Sequence, residues 1–162
     1  MSASDGRADI AGAGVLVVYE ADARGRAALL AADRLARERA APLRVLVVVP
    51  FERENVGCGR CRQSAVMWNR ELREIAADEL EEAAKLLGPG REAVYESVRG
   101  LFAESIVRVA AREGVRDVVL PHRRRGALRG LRPDWLDRIG CAGAWRVTVG
   151  PPAYPSAALV TR

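Results

Sequence analysis

The stretch Val115–Arg132, VRDVVLPHRRRGALRGLR, decides how this chain folds. Asp117-Val118-Val119-Leu120 has the length and branched apolar content of a short buried strand. It stops at Pro121 and is followed by His122, the only histidine, and then by Arg123, Arg124 and Arg125. In an open α/β sheet, ligands bind outside the carboxyl ends of the strands. A strand that delivers four cationic or titratable side chains to that end marks the edge where a site is expected.

Working outward, the same pattern recurs. Gly14–Tyr19 and Leu43–Val49 are apolar, β-branched runs of strand length, and the second is apolar enough to be covered on both faces. Between them Asp22 is placed to cap a helix whose Leu29, Leu30, Ala32, Leu35 and Ala36 recur at helical spacing through about Arg39, with Pro42 blocking continuation. Phe51–Gln63 reads as a long loop. A long amphipathic helix follows, with an inward stripe of Trp68, Leu72, Ile75, Ala76, Leu80, Ala83 and Leu87. Its carboxylates Glu71, Glu74, Asp78, Glu81 and Glu82 face water, and Gly88-Pro89-Gly90 ends it.

Ala93–Val98 is a less buried strand. Gly100 leads into a helix with Phe102, Ile106, Val109 and Ala110 inward, which Gly114 ends. After the basic loop, Asp134 is placed to cap a short helix carrying Trp135, Leu136 and Ile139, and Trp145–Val149 is the last strand. The order β-α-β-α-β-α-β-α-β with right-handed crossovers predicts one α/β domain, a doubly wound five-stranded parallel sheet in the order 3-2-1-4-5 with helices on both faces. It spans residues 13–150, between a loose tail at 1–12 and a Pro-rich tail at 151–162. The expected crevice is lined by Glu20, Val48-Val49 and Pro121–Arg125.

Composition bounds the function. Apolar residues make up 49% of 162 and charged residues 29%, the balance of a globular chain and not of a disordered one. No apolar run approaches the roughly 18–20 residues that span a bilayer. The first residues, MSASDGRADIAGAG, lack the apolar core of a secretory signal, so a cytoplasmic protein is expected. Net charge is +5, but Lys85 is the only lysine, and such an arginine skew follows from base composition as readily as from function. With 5% aromatics and no stacking platform, nucleic acid is not the expected partner.

Three cysteines do not make a disulfide framework. Cys58-x-x-Cys61 is half of a structural zinc motif, which needs four ligands. His122 lies on the same sheet edge and Cys141 on the opposite one, which leaves Cys58, Cys61 and His122 as a three-ligand alternative. Cys61 also stands near a helix start between Arg60 and Arg62, a setting that lowers a thiol pKa. The competing reading is a loop without chemistry.

The chain resembles the universal stress protein family. The resemblance covers nearly everything from Gly14 to Val149 and is carried by VLVVYEADARGRAALLAADRLA, LRVLVVVP, VRGLFAESIVRVAAREGVRDVVLP and DRIGCAGAWRVTV. ATP-binding members carry Gly-x2-Gly-x9-Gly-Ser/Thr after the fourth strand, a nest of backbone N–H groups at a helix start. Ala127-x2-Gly130-x9-Gly140-Cys141 mimics that spacing but leaves only Ala142-Gly143-Ala144 before the last strand, with no room for a helix. Aligned on the fourth strand and the closing helix, His122 and Arg125 replace the first two glycines, and Pro133-Asp134 replaces the Gly-Ser/Thr pair. Pro133 offers no N–H, and the Asp134 carboxylate repels a polyphosphate. Glu20 stands at the family's acidic residue, and Val48 where the family holds adenine through backbone.

The resemblance thus implies a regulatory or ligand-sensing module in stress response, without catalysis and without ATP binding of the usual kind, so no cofactor is expected. It also implies a homodimer, for which Trp145, Val147 and Val149 are the candidate surface. Two alternatives stand beside it. One is a thiol or zinc sensor through Cys58 and Cys61. The other is ATP or AMP binding in which arginine forks replace the glycine nest and hold phosphate. A small anion or an acidic protein partner would suit the same arginines, as would a plain solvated loop.

Overall fold

The computed structural model describes residues 14–51, 59–122, 139 and 145–150. Its elements are β1 (Val15–Val18), α1 (Ala23–Glu38), β2 (Leu43–Val49), α2 (Gly59–Leu87), β3 (Ala93–Arg99), α3 (Phe102–Arg112), β4 (Asp117–Leu120) and β5 (Arg146–Val149). The strands form one sheet in the order β3-β2-β1-β4-β5, and every neighbouring pair is parallel, as the sequence predicts. The expected tails at 1–12 and 151–162, the basic loop from Arg123 and most of the helix expected after Asp134 lie outside the described residues.

Alternation along the central strands divides the core into two layers. Val15, Val17 and Tyr19 of the first strand segment join Val45, Val47, Val49 and Val119 against Ala28, Leu29 and Ala32 of α1 and Ala76 and Ala83 of α2. Leu16, Val18, Leu46, Val118 and Leu120 face the other way, against Ile106, Val109 and Ala110 of α3 and the fully buried Ile139. Both layers draw on β2, which is why its sequence is apolar at every position but Arg44.

Four expectations are corrected. α2 starts at Gly59, so Arg60–Gln63 belong to a helix and not to the long loop. Its buried stripe runs through Ala65, Asn69, Leu72, Ala76 and Ala83, while Trp68 and Ile75 are about half exposed. One residue turns a helix by about 100°, so a stripe centred on Asn69 carries Trp68 out to the side. Leu30 of α1 is likewise exposed, and the buried places near it go to Ala28 and Leu29. Glu82 is half-buried and pairs with Arg26 at 2.7 Å instead of facing water.

The remaining boundaries follow local chemistry. The Asp22 carboxylate caps α1 by accepting the Arg24 and Gly25 amides at 2.9 and 2.7 Å. Gly88 and Gly114 adopt φ of 84° and 59° after α2 and α3, a left-handed turn that favours glycine. At the amino edge of the sheet the Arg39 guanidinium bonds Asp117, the fully buried first residue of β4. Nearby, Arg44 of β2 is bracketed by Glu96 of β3 and Glu113 at the end of α3.

Candidate functional site

The carboxyl ends of β1 and β2 carry the site. The Tyr19 amide still bonds the Leu46 carbonyl at 2.8 Å, so β1 is held to β2 one residue past its end. The chain then turns sharply: the Asp22 amide bonds the Glu20 carbonyl at 2.7 Å, and Asp22 at once caps α1. The first turn of α1 presses on this turn. A Cβ built on Gly25 would stand 1.9 Å from the Glu20 carbonyl oxygen, so a glycine there is what permits the approach. The end of β2 is fixed from the other side by the Gly100 amide, which bonds the Val49 carbonyl at 3.1 Å.

Between these strand ends lies a cavity of about 280 Å³. Its floor is apolar, made by Val18, Val47, Val49, Leu72, Ala76 and Phe102, and two carboxylates, Glu20 and Glu79, are in its lining. Ligand pockets commonly measure about 300–1,000 Å³. The volume therefore suits a base or nucleoside better than a whole nucleoside triphosphate.

Glu79 comes from the middle of α2 and accepts the Ala21 amide at 3.4 Å, which ties α2 to the turn after β1. Burial raises its pKa, the Ala21 hydrogen bond opposes that rise, and the neighbouring carboxylates of Glu82 and Asp22 add to it. Tyr19 also lines the cavity. Its buried hydroxyl lies beside the Arg26–Glu82 pair, within reach of both side chains. Burial, followed by the Glu82 carboxylate, pushes its pKa up to about 12. At the rim, the Arg99 guanidinium stacks 5.4 Å from the centre of the Phe51 ring.

The sequence-predicted residues divide into three groups. Glu20, Val48 and Val49 come together in the cavity. Pro121 and His122 follow β4 at the same edge of the sheet, Pro121 buried and His122 partly exposed, but neither is among the lining residues. Among the described residues the cavity is thus centred on β1 and β2 under α2, and not on the β1–β4 gap where the strand order reverses. Arg123, Arg124, Arg125, Asp134 and Cys58 lie outside the described residues. The backbone of Cys61 is in the first turn of α2. Among the described residues, no group of three or more His, Cys, Asp or Glu side chains could hold a metal.

The candidate dimer strand is an edge strand, paired only with β4 through Leu120↔Val149 and its neighbours. Trp145 donates its indole N–H to the Ile139 carbonyl at 2.7 Å. Trp145 and Val147 also pack on the second core layer, while Val149 is exposed. Sequence reasoning missed Glu79, Tyr19 and Phe102 as site residues. Glu79 had a signal: it follows Ala76 by three and precedes Ala83 by four, which puts it beside the buried stripe.

An open parallel sheet with this strand order and a cavity beyond its carboxyl ends defines a Rossmann-like α/β protein. Within that class the fold is that of the universal stress proteins. It is similar to the universal stress protein UspA from Lactobacillus plantarum, with a TM-score of 0.70 and 15% identity over 86% of this chain and 97% of that one. A universal stress protein family member from Burkholderia pseudomallei gives 0.64 and 20% identity over 88% and 97%. A universal stress protein solved in complex with cAMP gives 0.59 and 14% over 85% and 94%. No protein-family model and no curated protein matches the sequence. Among the described residues no helix is long and apolar enough to cross a membrane.

Proposed function

We propose that the chain is a universal-stress-protein-like regulatory or ligand-sensing module of the stress response, a binder and not a catalyst, whose cavity takes a small nucleoside-type ligand. One observation carries this reading. Glu20 and Val48, which resemblance makes the family's acidic residue after the first strand and the place where backbone holds adenine, line one cavity of about 280 Å³. The cAMP complex of a protein with the same fold supports the ligand class. Aligned in sequence with the family, His122, Arg125, Pro133 and Asp134 replace the residues of the glycine nest, which argues against ATP binding of the usual kind. The module works in the cytoplasm as a homodimer whose contact surface includes the β5 edge with Trp145, Val147 and Val149.

Titration of the metal-free protein with adenosine, AMP and ATP tests this. Saturable adenosine or AMP binding with ATP weaker than both is the expected result. Micromolar ATP binding contradicts the broken-nest reading and favours phosphate capture by Arg123–Arg125.

A thiol or zinc sensor is the second reading, favoured by the start of α2 at Gly59. The backbone of Cys61 then belongs to the first helical turn, and helix starts are where low-pKa thiols are generally found. Thiol counting and zinc assay on the same sample separate the two. Stoichiometric zinc that is lost in Cys58→Ser supports the sensor.

A further inference from the structure

We propose that Glu79 is a specificity-determining residue that, beside the acceptor Glu20, makes the cavity a charge filter: it admits a neutral or cationic nucleoside-type ligand and turns away the phosphorylated form. This rests on the nucleoside-type reading above and deepens it. Four observations converge. The cavity is at the small end for a ligand site, so a guest that fills it brings its polar substituents against the wall. Its floor is aliphatic and aromatic, a surface for the face of a flat base. The only charged side chains among its described lining residues are Glu20 and Glu79. The Glu79 carboxylate is fixed in that lining by the Ala21 amide, which it accepts at 3.4 Å.

Carboxylates accept hydrogen bonds from sugar hydroxyls and exocyclic amines, both of which a nucleoside supplies. The Glu79 carboxylate also repels a phosphate dianion brought up beside it. Glu79 is held for this task from outside the strand edge. Its carboxylate is anchored on the Ala21 amide at 3.4 Å, and Glu20 is set by the turn that Asp22 and Gly25 compress. Glu20 contributes at the position that the family resemblance already marks. Glu79 does so from a helix position that the resemblance does not assign.

Calorimetric titration of the full chain with adenosine and AMP at pH 8, where carboxylates are ionised, is the test. It is run on the unsubstituted protein, on Glu79→Gln, which keeps the acceptor for Ala21, and on the triple variant R123A/R124A/R125A. Adenosine should bind at least about tenfold tighter than AMP. In Glu79→Gln that ratio should shrink to within about threefold, because AMP gains affinity relative to adenosine, in a variant whose circular dichroism shows the native fold. AMP binding as tightly as adenosine or tighter in the unsubstituted protein overturns the filter, and loss of that AMP affinity in the triple variant would assign it to the arginine loop. An unchanged ratio in well-folded Glu79→Gln also overturns the role of Glu79. Absence of adenosine and AMP binding in every variant overturns the nucleoside-type reading itself, a different outcome from a filter that fails while nucleosides still bind.

Discussion

Gly25 lies so close to Glu20 that a single added methyl would stand 1.9 Å from the Glu20 carbonyl oxygen. The contact joins the first turn of α1 to the turn that aims a cavity residue, so fold stability and site geometry share one atom's worth of space. Gly25→Ala should therefore cost about 2 kcal/mol or more through overpacking against backbone. It should also weaken nucleoside binding further than the loss of folded protein explains. Chemical denaturation and binding on the folded fraction measure the two effects; an Ala variant with unchanged stability and affinity would refute the contact.

A second relationship holds the opposite edge. Arg39, at the C-cap of α1, bonds the buried Asp117 carboxylate across 78 residues of sequence. Removing the guanidinium leaves a carboxylate in the core without its partner. Such losses cost about 3–5 kcal/mol in fully buried pairs. Arg39 is about one-third exposed, so solvent screens part of this and Arg39→Ala should cost about 2 kcal/mol. Asp117→Asn, which removes the charge instead, should cost less. Urea denaturation of both variants at pH 7 gives the order, and a harmless Arg39→Ala would show that the pair contributes nothing.

Two acidic groups predict opposite pH behaviour. Glu79 has a raised pKa, caused first by burial, so the folded state binds its proton more tightly than the unfolded chain does. Between the unfolded and folded values stability from this group falls as pH rises. Glu79→Gln should thus be relatively more stable than the unsubstituted protein at pH 8 than at pH 4. Thermal melts across that range check the trend, and a reversed trend would contradict the buried placement of Glu79.

Asp33 goes the other way. Burial pushes its pKa up, but hydrogen bonds from Arg37 and Arg91 outweigh burial and hold the carboxyl below its ordinary 3.8. A lowered folded value gives stability that is fully present above the unfolded pKa and lost as pH falls through the folded one. Arg91 and Asp33 are both mostly buried and join β3's approach to α1. Asp33→Asn should cost about 1–2 kcal/mol at pH 7, and the difference should shrink in strong acid. A difference that stays constant down to pH 2 would rule out the charge as its source.

The fold was legible because every central strand is apolar on consecutive residues and each is separated from the next by a helical pattern with a recognisable cap or stop. Asp22 and Gly114 are cases in which residue chemistry alone placed the boundary. Half of the site was legible for the same reason: Glu20 and Val48 sit at strand ends, and strand ends were readable. Glu79 was not, since a glutamate inside an amphipathic helix looks like the solvated acids around it until the stripe is phased by Ala76 and Ala83. At Trp68 and Ile75 the spacing of large apolar residues points the wrong face inward, and Ala65 and Asn69 are the buried residues of that part of the helix. Arg39–Asp117 was hidden altogether, because only the parallel β1–β4 pairing brings residues that far apart in sequence together.

The cavity between the ends of β1 and β2 is tested most directly by amide chemical-shift mapping of the isotope-labelled protein with adenosine. Adenosine should shift Glu20, Ala21, Val48, Val49 and Glu79 in a saturable way and leave the amino edge around Arg39, Arg44 and Asp117 unmoved. Shifts confined to His122 and the residues after it, with Glu20 and Glu79 still, would contradict the account.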